Sequence, residues 1–192
     1  VLGMRQCASS YPNIKFLVHG NGSELSKLIK DSNIQNKCSI IDTKGVVSMD
    51  QKPSFVLRHG KDTSMWSAIE SVRTGVADAC VSGGNTGALM ALSVIRLKKS
   101  SGVNRPAIAC LWPSRNKSGF NIVLDVGADI KADHNDLLQF SIMGVKYAKQ
   151  GLGIKNPRVG LLNMGTEEHK GNNELKLAYE LIQTKSITEN FE

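Results

Sequence analysis

Three short stretches of this sequence gather glycine, polar and charged residues where apolar runs end. The first is Ser82-Gly83-Gly84-Asn85-Thr86-Gly87, between an apolar run and a helical pattern. Glycines there let a ligand approach the backbone closely, and free N–H groups at a helix start attract an anion. Asn85 and Thr86 add neutral polar groups suited to a phosphate or carbonyl oxygen. Ser82, Gly84, Asn85, Thr86 and Gly87 are therefore candidate phosphate-binding residues. The same pattern also describes a tight turn in which Asn85 or Thr86 merely caps the helix. The loop is neither G-x-x-x-x-G-K followed by Ser or Thr nor G-x-G-x-x-G, so it meets neither nucleotide motif.

The second stretch is Leu124-Asp125-Val126-Gly127-Ala128-Asp129, in which Asp125 and Gly127 are candidates for orienting a substrate group. A carboxylate that only caps loop amides would look the same. Asp129 and Asp133, four residues apart, are too little to indicate a metal site, and none is assigned. The third stretch, Asn163-Met164-Gly165-Thr166-Glu167-Glu168-His169-Lys170-Gly171, puts two acids, an imidazole and an ammonium within nine residues. Lys170 could neutralise a phosphate or a developing oxyanion, with Glu167 or Glu168 positioning it. Asn163, Gly165 and Glu168 complete the candidate set, and a solvated charged loop is the competing reading.

A protein nucleophile has little support. There is no G-x-S-x-G elbow, and no Cys is visibly paired with a His. If acyl transfer occurs, phosphate itself is the better nucleophile, and the protein need only position it and stabilise charge.

The elements that would hold these loops alternate along the chain. Short, continuous aliphatic runs at 14–18, 39–42, 78–82, 107–111, 121–125 and 158–163 read as strands buried on both faces of a parallel sheet. Helical patterns lie between them. Residues 64–74 put Met65, Ile69 and Val72 on one face, and Gly75 stops the pattern. Residues 86–98 carry Leu89, Leu92 and Ile95 on one stripe. Residues 133–150 turn Leu138, Ile142 and Val145 inward behind Asp133 as N-cap, and 174–184 are a further amphipathic stretch. Residues 113–120 carry no hydrophobic period and read as a loop. This alternation predicts an α/β fold, a three-layer α/β/α sandwich with a mostly parallel sheet, as a single domain over residues 1–192. Ligands of such sheets bind outside the carboxyl ends of the strands, where all three stretches fall.

Composition narrows the partners. The 192 residues carry 24 Lys and Arg against 17 Asp and Glu, a net charge of +7, which favours an acidic partner. The basic residues are scattered without interleaved aromatics, which argues against nucleic acid. Cys7, Cys38, Cys80 and Cys110 form no C-x-x-C pair, so they read as reduced thiols of a cytoplasmic protein rather than disulfides or zinc ligands. No stretch approaches the roughly 18 apolar residues that a membrane-spanning helix needs.

The three stretches, in this order, closely resemble the PlsX family of phosphate acyltransferases. The likeness begins at Ser48-Met49-Asp50-Gln51-Lys52-Pro53 and continues through Lys61-Asp62-Thr63-Ser64-Met65 and the run from Ala77 to Met90. It extends to Arg105-Pro106-Ala107, Leu124-Asp125-Val126-Gly127-Ala128, the run from Leu138 to Gly144, and the run from Pro157 to Asn163. The resemblance implies transfer of a long-chain acyl group from acyl carrier protein to inorganic phosphate, giving acyl-phosphate for phospholipid synthesis without a cofactor. It further implies a homodimer with a fold related to phosphotransacetylase and isocitrate dehydrogenase, attached peripherally to anionic membrane. Lys170 falls on a lysine that the family is believed to use in catalysis. A short-chain phosphotransacylase using acyl-CoA, and a non-catalytic phosphate-binding module, are the alternatives.

Departures from the family pattern are Gly83 for the usual Ala, Asp129 for Asn, Lys131 where Asp is frequent, and one extra residue at Asn172-Asn173. The family's opening strand with its D-A-M-G-G-D loop, and its later D-G-F-x-G-N loop, have no counterpart here. Residues 1–192 are therefore expected to be a fragment with an incomplete site, inactive or nearly so in isolation.

Overall fold

The computed structural model describes residues 1–30, 32–126, 132–163 and 173–185. The chain divides into two compact units, Val1–Lys98 and Lys99–Glu192.

The first unit runs α1 (Leu2–Ser10), β1 (Phe16–Gly20), α2 (Gly22–Lys30), β2 (Cys38–Asp42), α3 (Pro53–His59), α4 (Ser64–Arg73) and α5 (Thr86–Leu97). β1 and β2 pair in parallel from Phe16 opposite Cys38 to Gly20 opposite Asp42, with α2 as the crossover. The core forms where α3, α4 and α5 meet. Val47, Val56, Met65, Ile69, Ala88 and Leu92 are buried there, with Leu57, Trp66, Cys80 and Leu89 packed against them. Met65 and Ile69 are four apart on α4, and Ala88 and Leu92 four apart on α5, so each helix offers one stripe to the other. α4 is bounded by a Thr63 hydroxyl that accepts from the Trp66 N–H at 3.3 Å, and by Gly75 at φ 74°. On its outer side Glu70 accepts both Arg96 Nη2 (2.8 Å) and Arg96 Nε (3.0 Å), and it also pairs with Arg73. The Arg96 guanidinium lies 5.0 Å from the Trp66 ring centroid, which ties α5 to α4 a second time.

The second unit contains β3 (Ala109–Pro113), β4 (Phe120–Leu124), α6 (His134–Lys146), a π-helical turn at Tyr147–Gly151, and α7 (Asn173–Lys185). β3 and β4 form an antiparallel hairpin, closed where the Ser114 N–H donates to the Gly119 carbonyl at 2.9 Å. Asp133 caps α6 in a reciprocal capping box with Asp136.

The α/β class holds, and so do the strands expected near 14–18, 39–42, 107–111 and 121–125 and the four helices. Two expected strands differ. Residues 78–82 are not a strand, and Val81 is 96% exposed; residues 158–163 show only an isolated bridge at Val159. An apolar run reports a tendency to be buried, but a strand forms only against a paired neighbour, and neither segment is in a ladder among the described residues. Ile95 and Ile142, expected to point inward, are 55% and 36% exposed. Ala88 and Phe140 occupy the buried stripes of those helices instead.

Candidate functional site

The loop that leads into α5 is held from below by its own asparagine. Asn85 is the N-cap of α5, its Oδ1 accepting the Ala88 N–H at 3.0 Å. Its Nδ2 reaches the carbonyl oxygens of Ser48 (3.1 Å), Met49 (3.2 Å) and Gln51 (2.9 Å). With only 7% of its surface exposed, the Asn85 side chain is committed to the fold at both ends of its amide. The turn that it grips is closed by its own bonds. Ser48 Oγ donates to Asp50 Oδ1 at 2.6 Å, and the Ser48 N–H donates to Gln51 Oε1 at 3.1 Å. The bond from Ser48 leads the interactions that hold the Asp50 carboxyl below its usual range, so it is ionised at neutral pH.

The glycines of this loop have separate reasons. A Cβ on Gly87 would lie 3.1 Å from Pro53 Cγ, so glycine here lets α5 start hard against the first turn of α3. A Cβ on Gly84 would meet Met65 Cε at 3.3 Å, and the Gly84 N–H donates to Ser82 Oγ at 3.2 Å. Around Gly83 there is open space. Ser82 and Thr86 are exposed, and the backbone N–H groups of Thr86 and Gly87 at the head of α5 make no bond among the described residues. The first stretch can therefore offer an anion two backbone amides and two hydroxyls on a rigid base.

The other candidates belong to the second unit. Asp125 ends β4 at φ 62°, a left-handed conformation that costs most residues about 1–2 kcal/mol and that Asp tolerates better than most. Its N–H donates to the Ile108 carbonyl at 2.9 Å, which carries the hairpin ladder one residue further. Asn163 is exposed at the end of the 132–163 stretch. Gly127, Gly165, Glu168 and Lys170 lie outside the described residues.

Two of the motif segments quoted above also hold each other in this unit. Gln139 Oε1 accepts the N–H groups of Asn104 (2.9 Å) and Arg105 (3.1 Å), while Gln139 Nε2 donates to the Gly102 carbonyl at 3.0 Å. Arg105 Nη1 donates to Asp136 Oδ2 at 3.0 Å. The start of α7 is fixed to the start of α6, where the His134 N–H donates to Glu174 Oε2 at 2.9 Å and His134 Nδ1 sits 2.7 Å from the same oxygen. Those bonds hold the Glu174 carboxyl below its usual range. Among the described residues, no group of three or more His, Cys, Asp and Glu side chains converges as metal ligands would. No helix among them is long and apolar enough to cross a membrane.

Reading the sequence missed the part played by the 48–51 turn, which it treated only as a motif. The available signal was Pro53, the first residue of a helix, following a short polar turn.

The model of the fatty acid synthesis protein family matches residues 1–191. The chain belongs to this family. A phosphate acyltransferase of Paracoccus denitrificans is 60% identical over 193 residues, covering 100% of this chain and 52% of the relative. One of Jannaschia is 58% identical over 193 residues, covering 100% of this chain and 53% of its own length. The chain thus spans about half the length of the curated relatives it matches. Among solved structures, the EutD phosphotransacetylase from Staphylococcus aureus superposes with a TM-score of 0.67 at 18% identity, over 100% of this chain and 63% of that one. At that identity the likeness is one of fold, and the expected relation to phosphotransacetylase holds. The family is the one that the ordered motifs resembled.

Proposed function

We propose that this protein is a phosphate acyltransferase, moving a long-chain acyl group from acyl carrier protein to inorganic phosphate. The observation that carries the reading is the family match over residues 1–191, joined to relatives named phosphate acyltransferase at 60% and 58% identity. A phosphate oxygen attacks the thioester carbonyl carbon, the carbon–sulfur bond breaks, and the phosphate proton passes to the departing thiolate. The products are acyl-phosphate and the free thiol of the carrier. No group on the protein needs to be acylated.

In this reading the loop at 82–87 receives phosphate, with the amides of Thr86 and Gly87 and the hydroxyls of Ser82 and Thr86 as its donors. Lys170, supported by Glu168, stabilises the charge that develops on the carbonyl oxygen. Asp125, Gly127, Asn163 and Gly165 are further residues proposed to contact substrate. The net charge of +7 suits an acidic carrier protein and peripheral contact with anionic membrane, and the protein acts as a homodimer in the cytoplasm.

The test is a donor comparison with the protein expressed from its complete reading frame, trapping acyl-phosphate with hydroxylamine. Product from acyl-acyl carrier protein and phosphate, with little from acyl-CoA, is expected. Product from short-chain acyl-CoA alone would replace this reading with the phosphotransacylase. Phosphate binding with no transfer from either donor would leave a binding module.

A further inference from the structure

We infer that Asn85 is a positioning residue, which ties the turn at 48–51 to the first turn of α5 and thereby makes that turn part of the site. The inference rests on the reading that the 82–87 loop receives phosphate. It reverses the role that residue type and position suggest for this side chain. An asparagine in a Gly-rich loop at a helix start looks like a ligand, yet this one has no donor left to give. Two N–H hydrogens already serve three carbonyl oxygens at 2.9, 3.1 and 3.2 Å, and the oxygen accepts the Ala88 N–H at 3.0 Å. The residue is buried, and its bonds span 34 to 37 positions of sequence.

The arrangement is a lock with two keys. The amide oxygen caps α5, and the amide nitrogen sits among three carbonyls of the turn, of which that of Ser48 also accepts the Gln51 N–H at 3.3 Å. Pro53 against Gly87 closes the same junction two residues beyond the turn. The amides of Thr86 and Gly87 are thereby fixed in relation to Ser48 and to the ionised Asp50, whose carboxylate is held by Ser48 Oγ. Ligand contacts then come from the backbone and hydroxyls around Asn85, and the turn at 48–51 supplies the far wall.

The two keys can be separated by substitution. Asn85→Asp keeps an acceptor for the Ala88 N–H but sets a carboxylate against three carbonyl oxygens, so it retains the cap and breaks the tether. Asn85→Ala removes both. The experiment uses the protein from its complete reading frame and follows amide hydrogen exchange at residues 48–52 and 88–89, with kcat and KM for phosphate measured beside it. In Asn85→Asp, exchange at 48–52 should rise by about tenfold or more while 88–89 stay protected; a tenfold change corresponds to about 1.4 kcal/mol of opening free energy. Both variants should lose kcat with KM for phosphate moving little, the pattern of lost alignment rather than lost ground-state binding. Unchanged exchange at 48–52 would overturn the tether. A large rise in KM for phosphate with kcat intact would make Asn85 a direct ligand and overturn the positioning role. If the unsubstituted protein forms no acyl-phosphate, the functional reading fails and takes the catalytic half of the inference with it. The exchange data still decide the tether by themselves.

Discussion

Gly60 ends α3 at φ −87° and ψ 8°, a conformation open to any L-residue, so it is space and not backbone freedom that requires glycine there. A Cβ would lie 2.5 Å from the Val56 carbonyl oxygen and 2.8 Å from Val56 Cγ1. Val56 is 1% exposed, and its carbonyl already accepts the Gly60 N–H at 2.8 Å, so neither group can retreat without loosening the helix end. The disturbance would travel further, because the Gly60 carbonyl accepts both the N–H (3.0 Å) and the hydroxyl (2.6 Å) of Thr63, the cap of α4. Overpacking of this kind costs about 1–3 kcal/mol, and the stiffer unfolded chain returns about 0.4–1 kcal/mol. A net loss of roughly 1–2 kcal/mol should lower the melting temperature of Gly60→Ala by roughly 2–8 °C in a chain of this size. Gly83→Ala is the internal control. Its Cβ enters open space and its φ is not left-handed, so only the unfolded-state term remains, and the variant should melt about 1–4 °C higher than the parent. Both variants would be followed by circular dichroism on heating and by urea titration. Equal melting temperatures for Gly60→Ala and the parent, or a loss in Gly83→Ala as large as that in Gly60→Ala, would refute the reasoning.

Two pH dependences follow from other contacts of the first unit. Partial burial raises the Glu70 carboxyl, but the bonds and charges of Arg96 and Arg73 outweigh it and leave it below its ordinary 4.5. Its contribution to stability is therefore complete above pH 4.5 and is lost as acid carries the pH down through the lowered value. Melting curves taken on acidification should show Glu70→Gln with a shallower loss than the parent, and parallel losses would remove Glu70 from the account. Burial holds the His19 imidazole below 6.5, beside Ser67 Oγ at 2.9 Å from Nδ1 and Ser71 Oγ at 3.5 Å from Nε2. The unfolded chain then takes up the proton first, so His19 costs stability as pH falls below 6.5. His19→Asn should flatten that part of the profile, as read from urea midpoints across it, and an unaltered slope would count against the burial argument.

What the sequence disclosed, and what it hid, divides by the range of the interactions. Helices whose stripes and caps are local were legible: Asn85 before α5 and Asp133 before α6 cap as their types suggest, while the Thr63 cap of α4 was not singled out. The four strands were legible to within a residue or two because continuous aliphatic runs marked them. α1, α2 and α3 went unseen. α1 carries Gly3, Ser9 and Ser10, weak helix formers that blurred its pattern, while α2 and α3 are short, at nine and seven residues. The runs at 78–82 and 158–163 misled because nothing local says whether a strand will find a neighbour. At the candidate site the loop at 82–87 was visible as a type of sequence, but the use of Asn85 was not, because its partners lie 34 to 37 residues away. The contact between Pro53 and Gly87 was hidden for the same reason.

In the proposed reaction phosphate is the nucleophile and the protein supplies position and charge, with Lys170 proposed to stabilise the developing oxyanion. The most direct measurement is acyl-phosphate formation from acyl-acyl carrier protein and ¹⁸O-labelled phosphate, using the protein from its complete reading frame and its Lys170→Ala variant. The account predicts labelled oxygen in the acyl-phosphate bridge, no acylated protein, and a fall in kcat of about 10²–10³ in the variant, as when one oxyanion donor is removed. A covalently acylated protein during turnover, or full activity in Lys170→Ala, would contradict it.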